Sequence, residues 1–295
     1  MVSGAAARSR SAIEILAPDT QSAPVVFSSP HSGRDYPPEF ASGSALDRVA
    51  LRRSEDSFVD QIFSAAPRCG APMLKALFPR AYVDANREPF ELDPTMFDDP
   101  LPAYANTSSP RVIAGLGTIA RVVTNGEEIY LRKLRFAEVC DRIESLYWPY
   151  HTALNNLIEA TKGRFGHCVL IDCHSMPSVG GPSDYDAGHR RVDINLGDAH
   201  GAACAPTLTR FVEQQLHNLG YVVARNTPYS GGYITRHYGR PKNGVHALQI
   251  EINRALYMDE DRVRPASGLA PLTAQMARLT GAICSFDLIT TVTAD

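Results

Sequence analysis

The sequence predicts an α/β domain with a mostly parallel central sheet, on the evidence of two alternating kinds of segment. The first kind is a short apolar run rich in branched residues, which is typical of a buried strand. Such runs lie at 25–27, 168–171, 221–224 and 247–253. The second kind has apolar residues at helical spacing. These helical segments lie at 45–65, 131–160, 205–219 and 269–289. Helix and strand therefore follow one another as in α/β folds.

Composition limits the class of protein. The chain has 295 residues, of which 44% are apolar and 21% charged, and it is long enough for one large domain or two small ones. Its formal net charge of −3 and the absence of a basic run argue against nucleic acid or an anionic membrane as a partner. No stretch approaches the roughly 18 apolar residues of a membrane span. We expect a soluble protein.

The six cysteines are scattered along the chain without a C-x-x-C pair, and several lie inside apolar runs. This usage is typical of a reduced, cytoplasmic protein. The N-terminal segment has arginines but no apolar core of signal-peptide length. We expect residues 1–22 to form a loose tail.

Two predicted strands end in the same dipeptide, His-Ser. His174 follows the strand at 168–171 and lies three residues before Pro177, and His31 follows the strand at 25–27. The carboxyl ends of parallel strands meet at one edge of a sheet, where such folds bind ligands. The two imidazoles can then share a metal ion, although each His-Ser pair can instead cap a following helix.

A catalytic zinc site with two histidines needs a third protein ligand and an open position for water. Arg34 stands three residues after His31, so the His-x-x-Glu spacing of carboxypeptidases is absent. The nearest acids are Glu55 and Asp56, which interrupt the apolar face of the predicted helix at 45–65. Either acid is a candidate ligand, and the alternative is a solvated carboxylate.

Glu251 lies within the apolar strand at 247–253, and strands rarely bury a carboxylate without a partner. It is either paired with Arg254 or a catalytic base. Arg87 opens a proline-rich stretch that is expected to be an irregular lid or binding loop. Its guanidinium can bind a substrate carboxylate, or it can pair with Asp84 or Glu88.

Two further arginines lie in glycine-containing segments. Arg121 is in the segment 111–123, whose Gly-x-Gly spacing lacks the remaining residues of a nucleotide-binding loop. Arg236 is in the segment 230–239, which we expect to be a binding loop.

Several motifs occur in an order that resembles the N-formylglutamate amidohydrolase family. The resemblance covers residues 25–258, and the order of the motifs is more specific than any one of them. The motifs are PHSG at 30–33, EDSFVD at 55–60, DANR at 84–87, DCHSM at 172–176, SGGYITRHYG at 230–239 and ALQIEINR at 247–254.

The resemblance implies a fold related to zinc carboxypeptidases and to the aspartoacylase and succinylglutamate desuccinylase group. That fold is a single catalytic α/β domain, here 23–295, with a mixed central sheet and helices on both faces. It also implies roles for particular residues. His31, Asp56 and His174 would bind zinc (Zn²⁺), with Glu55 as the alternative acid; Glu251 would be the general base; and Arg87, Arg121 and Arg236 would bind substrate carboxylates.

The implied reaction is hydrolysis of N-formyl-L-glutamate to formate and L-glutamate, in histidine degradation. The partner is then a small N-acyl amino acid. Two alternatives come from other classes. One is a deacylase or carboxypeptidase-like hydrolase for another N-acyl amino acid, and the other is a metal-binding protein without catalytic activity.

Overall fold

The computed structural model describes residues 11–182 and 184–288, and the described residues contain a seven-stranded mixed sheet. Its strands in chain order are β1 (Ile13–Leu16), β2 (Val25–Ser29), β3 (Met73–Ala76), β4 (Cys168–Met176), β5 (Ile194–Gly197), β6 (Val223–Arg225) and β7 (Val245–Asn253). Their order across the sheet is β1-β3-β2-β4-β7-β5-β6. The β1–β3 and β7–β5 pairs are antiparallel, and the remaining neighbours are parallel. The predicted mostly parallel, mixed sheet is confirmed.

The helices follow the predicted alternation with strands. They are α1 (Pro38–Ser42), α2 (Arg48–Leu51), α3 (Val59–Ile62), α4 (Pro110–Ile113), α5 (Phe136–Arg142), α6 (Trp148–Phe165), α7 (Pro206–Asn218), α8 (Tyr233–Tyr238) and α9 (Leu269–Cys284). Two short strands, β8 (Met258–Asp259) and β9 (Arg264–Pro265), form a separate antiparallel ribbon. None of the helices that the structure describes is long and apolar enough to cross a membrane.

Both faces of the sheet are covered by helices. Alternate residues of a strand point to opposite faces, and β4 is buried along its whole length. Val169 and Ile171 belong to the apolar cluster that contains residues of α3, α7 and α9. Leu170 belongs to the cluster on the other face, which contains residues of α5 and α6. The middle of the sheet is therefore a continuous apolar layer, and polar groups lie at its edge.

The continuous helix predicted at 45–65 is wrong. The segment contains α2, a 3₁₀ turn at Arg52–Ser54 and α3, with a break in which Phe58 has a φ of 69°. The polar residues of this break are buried and bound by partners far along the chain: Ser54 accepts from the Thr124 backbone, and Asp56 binds His174. These tertiary contacts outweigh the local helical preference.

Three other segments differ from prediction. Residues 230–239, expected to be a loop, contain α8. The helical segment predicted at 131–160 begins only at Phe136 and contains α5, a π-helical turn at Ile143–Tyr147 and α6, with Pro149 just after the π-helical turn. Helix α9 ends at Cys284, and the predicted end at position 289 lies outside the described residues.

The stretch 1–22, expected to be a loose tail, contains the edge strand β1. Its residues pair antiparallel with β3, with Ile13 opposite Ala76 and Leu16 opposite Met73. The prediction overlooked IEIL because it is a run of only four residues, of which none is fully buried. Residues 1–10 lie outside the described part of the chain.

Candidate metal and substrate site

The carboxyl ends of β2, β4 and β7 bring the candidate residues together at one edge of the sheet. His31 lies two residues beyond β2, while His174 and Glu251 lie within β4 and β7. These three strands are parallel neighbours, and His174 is opposite Glu251 in the register. Residues opposite each other in adjacent strands point to the same face. Strand pairing alone therefore places Glu251 beside His174.

His31, Asp56 and His174 form a buried group that can hold a metal ion, because their candidate ligand atoms all lie within 4.8 Å of one another. The Nδ1 atoms of His31 and His174 lie 3.3 Å and 2.9 Å from Oδ2 of Asp56. Each of the three residues is at most 2% exposed. The break between α2 and α3 carries Asp56 into this position, which a continuous helix would not.

The outer nitrogen of each imidazole faces a second carboxylate. Nε2 of His31 lies 2.8 Å from Oδ1 of Asp84, and Nε2 of His174 lies 2.9 Å from Oδ2 of Asp172. Asn86 Nδ2 also lies 3.2 Å from Nε2 of His174. Such carboxylates favour the proton on Nε2, which leaves Nδ1 as the ligand atom. The Asn86 amide group opposes this at His174, because its oxygen accepts from the Ile234 backbone and only its Nδ2 donor faces the ring. Since a charged acceptor outweighs a neutral donor, both Nδ1 lone pairs converge on Asp56 Oδ2, an arrangement suited to a cation between them.

The two neighbouring acids of the break have different partners. Glu55 accepts from Arg52 Nε at 3.0 Å, from Ser57 Oγ at 2.8 Å and from Tyr36 Oη at 2.7 Å, so its carboxylate is engaged away from the histidines. Burial alone would raise the pKa of Asp56, but the hydrogen bonds with the His174 and His31 rings hold that pKa well below its usual range. The structure therefore favours Asp56 over Glu55 as the third ligand.

Glu251 is buried beside this group and has no ion pair with Arg254. Its Oε1 accepts a hydrogen bond from Gln249 Nε2 at 2.8 Å. Burial raises the pKa of Glu251 to about 7, with His174 opposing the shift and Asp56 adding to it. Arg254 instead donates to Oδ1 of Asp56 at 3.0 Å. Of the two alternatives for Glu251, pairing with Arg254 is wrong.

A cavity of about 160 Å³ opens onto the group. It is smaller than the roughly 300–1,000 Å³ of pockets that take drug-sized ligands, so its size suits a small metabolite. His31, His174 and Glu251 line it. The arginines in its wall are Arg80, Arg87, Arg111, Arg236 and Arg254. These guanidinium groups favour an anionic ligand.

Of the three arginines predicted to bind substrate, the structure places Arg87 and Arg236 in the cavity wall and Arg121 elsewhere. Arg121 Nε and Nη1 donate at 2.9 Å to Asp93 and Glu128 respectively, outside the cavity. The glycine spacing around Arg121 thus belongs to a structural turn. This position does not support the prediction that Arg121 contacts the substrate.

Arg87 is only 8% exposed, and backbone carbonyls orient it. Its Nε donates to Leu116 O at 2.9 Å and its Nη1 to Asn86 O at 2.8 Å, while Asp84 lies 3.8 Å from Nε. Burial lowers the pKa of Arg87 to about 10, with Asp84 opposing the shift and nearby Arg111 adding to it. Two like charges therefore stand close together at the cavity, an arrangement that a bound carboxylate would stabilise.

Sequence reasoning missed Arg80 and Arg111. Arg80 Nε donates to Asp84 Oδ2 at 2.9 Å, which joins it to the carboxylate that orients His31. Arg111 lies in α4, at the end of the proline-rich stretch. Arg80 could have been identified from the sequence, because it lies just after strand β3 and seven residues before Arg87. Arg111 has no comparable local signal, because only the folding of the irregular loop brings it to the cavity.

Fold and site together have the parts of a metal-assisted hydrolase with an anionic substrate: an open cavity, a cluster of ligand atoms and a buried carboxyl group. The chain belongs to the N-formylglutamate amidohydrolase family, whose profile matches residues 23–258. The expected resemblance is thereby confirmed.

Curated relatives agree with this assignment. N-formylglutamate deformylase from Pseudomonas aeruginosa is 31% identical over 250 residues, which cover 84% of this chain and 86% of the relative. The protein of the same name from Pseudomonas putida is 29% identical over 240 residues, covering 80% and 82% of the two chains.

Solved structures give the same result. The crystal structure of N-formylglutamate amidohydrolase from Ralstonia eutropha JMP134 superposes with a TM-score of 0.84 at 36% identity, covering 93% of this chain and 98% of that one. A gene product of Agrobacterium tumefaciens superposes with a TM-score of 0.66 at 18% identity, covering 97% of each chain. The second likeness concerns the fold alone.

Proposed function

We propose that this protein is a zinc-dependent amidohydrolase that cleaves N-formyl-L-glutamate to formate and L-glutamate, a reaction of histidine degradation. The observation that carries the proposal is the buried group of His31, Asp56 and His174 beside Glu251, in an arginine-lined cavity of a chain from this family. The named relatives support the choice of substrate.

The donor set fits zinc. Two imidazole nitrogens and one carboxylate oxygen make up a three-ligand site with a fourth position open, as in catalytic zinc centres. The Asp84 and Asp172 carboxylates behind the two rings are the kind of outer partners that orient metal-binding histidines. Zinc held there would lower the pKa of water to about 7 and polarise the formyl carbonyl.

Glu251 would move the proton. Gln249 Nε2 holds one carboxylate oxygen, which directs the carboxyl group and leaves Oε2 for a water molecule in the cavity. Glu251 then accepts the proton of the attacking water and delivers it to the amide nitrogen as the carbon–nitrogen bond breaks. The products are formate and the free amine of glutamate.

The arginines would hold the two carboxylates of the substrate. Arg87 is oriented by backbone carbonyls and stands near Arg111, so this pair is our choice for one carboxylate. Arg236 lies elsewhere in the wall, with Nη2 donating to Ser230 Oγ at 2.9 Å, and is our choice for the second. Guanidinium groups bind carboxylates with two parallel hydrogen bonds.

Metal analysis and a hydrolysis assay test the proposal together. The purified protein should contain about one zinc per chain and should release formate from N-formylglutamate faster than it deacylates N-acetylglutamate or N-succinylglutamate. His174→Ala should lose both zinc and activity, while His217→Ala, at an exposed histidine outside the cavity, should keep both. Faster cleavage of the larger acyl groups would instead indicate a deacylase, and zinc without any hydrolysis would indicate a binding protein.

A further inference from the structure

Arg254 and Asp56 form an ion pair in which the two carboxylate oxygens of Asp56 have different partners. Oδ2 faces the Nδ1 atoms of His31 and His174. Oδ1 faces away and accepts from Arg254 Nη2 at 3.0 Å and from Ser175 Oγ at 3.3 Å. One oxygen therefore lies among the ligand atoms, and the other is held by donors.

Arg254 is itself held on several sides. Its Nε donates to Ser175 Oγ at 3.1 Å and its Nη1 to the carbonyl oxygen of Arg53 at 2.9 Å. The residue is 6% exposed and begins the 3₁₀ turn Arg254–Leu256, directly after β7. The Arg53 carbonyl belongs to the chain just before Asp56. Arg254 thus joins the end of β7 to the break that carries the carboxylate.

We propose that Arg254 is a positioning residue that holds Asp56 so that only Oδ2 is available to the metal. This inference rests on the proposed function and adds to it a role for a residue outside the ligand set. A carboxylate whose second oxygen is bound by a guanidinium and a hydroxyl coordinates through one oxygen. One-oxygen coordination leaves space at the metal for water and the formyl oxygen.

Breaking the pair by removing one partner would be energetically costly. A guanidinium buried without a partner is strongly unfavourable, so Arg254 and Asp56 depend on each other for burial. Removing the guanidinium would free Oδ1 and leave the Asp56 side chain able to rotate. Loss of an outer partner of this kind typically weakens metal binding about 10-fold to 100-fold.

The test compares zinc dissociation constants of folded proteins by competition with a chromophoric chelator. Arg254→Met, which keeps a similar apolar stem, should bind zinc about 10-fold to 100-fold more weakly than the wild type. Arg52→Met is the matched control, because Arg52 pairs with the adjacent Glu55 at 3.0 Å and does not line the cavity. The control should keep wild-type zinc affinity.

A second variant covers the case in which Arg254→Met does not fold. Arg254→Lys keeps the charge, but one ammonium group cannot reach Ser175, Arg53 and Asp56 together. It should bind zinc more weakly than the wild type and change the visible absorption spectrum of the cobalt-substituted protein, which reports coordination number. Wild-type affinity with a wild-type cobalt spectrum in either variant overturns the proposal.

Two outcomes distinguish failure of this inference from failure of the proposed function. If wild-type protein binds zinc and hydrolyses N-formylglutamate while the Arg254 variants keep zinc affinity and only raise KM, Arg254 contacts substrate and the positioning role is wrong. If wild-type protein binds no divalent metal, the proposed function itself fails.

Discussion

Glu251 shows what a single residue contributes, because the same side chain suits either a structural or a catalytic role until its partners are known. The structure removes Arg254 as its partner and leaves a hydrogen bond from Gln249. A buried carboxyl group that faces the cavity and has one oxygen without a donor among the described residues is what a general base requires. Substitution of Glu251 therefore tests the mechanism directly.

Glu251→Gln should keep the zinc and lose turnover. The amide is isosteric with the carboxyl group, but it cannot accept the proton of the attacking water, so kcat should fall by about 10²-fold to 10⁴-fold. Zinc content and steady-state kinetics of the same preparation measure the two effects. A variant with normal zinc and a normal rate would leave Glu251 as a structural partner of Gln249.

Arg87 and Arg236 should make the enzyme selective for substrates with two carboxylates. Arg87→Ala and Arg236→Ala should each lower kcat/KM for N-formylglutamate by about 10-fold to 100-fold, since a charge-assisted hydrogen bond is worth about 1.5–3 kcal/mol. The loss should be smaller for N-formylmethionine in the variant whose arginine binds the side-chain carboxylate, which N-formylmethionine lacks. The gap between the two substrates should therefore narrow.

Arg121→Ala is the matched control for these variants. Its guanidinium binds Asp93 and Glu128 outside the cavity, so both substrates should be cleaved as by the wild type. Equal losses on both substrates for Arg87→Ala and Arg236→Ala would assign those two arginines to the fold instead.

At the scale of secondary-structure elements, the order of helices and strands follows from local patterns, but their boundaries do not. The apolar spacing that predicted a helix at 45–65 is real, since Leu51, Val59 and Ile62 are buried. The helix is nevertheless broken, because Asp56 gains more from His174 and Arg254 than from a place in a regular helix. The segment that departs from its local helical preference is therefore the one that carries Asp56 to the candidate metal site.

Helix α6 offers a test of local preference where no site is involved. Gly163 lies in its last turns, is exposed and has nothing within 4 Å of where a Cβ would be. Gly163→Ala should raise the free energy of unfolding by about 0.5–1 kcal/mol, because alanine loses less backbone entropy in a helix. Urea denaturation of both proteins measures the change, and a loss of stability would show that the end of α6 is constrained by something other than propensity.

At the scale of the whole molecule, the three candidate metal ligands link distant parts of the chain. His31 follows β2, Asp56 lies in the break between α2 and α3, and His174 lies in β4. Asp84, in a loop, binds His31, and Arg254, after β7, binds Asp56. A metal ion at this point would bind only when all these elements are in place. Metal binding and global folding are therefore expected to be coupled.

Zinc should accordingly stabilise the native protein. A ligand that binds only the folded state at 100 times its dissociation constant adds about 2.7 kcal/mol to the free energy of unfolding. Thermal unfolding with excess zinc and with a chelator should show a higher Tm for the zinc-loaded protein, and His174→Ala should remove the difference. Equal Tm values for the two wild-type samples would show that the folded protein has no preferential affinity for zinc.

The sequence by itself determined the fold class, the family and most of the residues that the structure gathers at the site. Strands are visible because buried runs are apolar, and the His-Ser pairs at 31–32 and 174–175 stand out because polar residues follow those runs directly. Glu251 stands out for the same reason, as an acid within a strand. All of these signals are local in the chain.

Only the tertiary structure placed Asp56 rather than Glu55 beside the histidines, separated Glu251 from Arg254, placed Arg121 outside the cavity and brought Arg80 and Arg111 into its wall. In each case the choice depends on which partner a charged side chain meets. Those partners lie far along the chain or in irregular loops, where no periodicity of the sequence indicates which way a side chain points. Charges are paired by position in space, and position in space is a property of the whole fold.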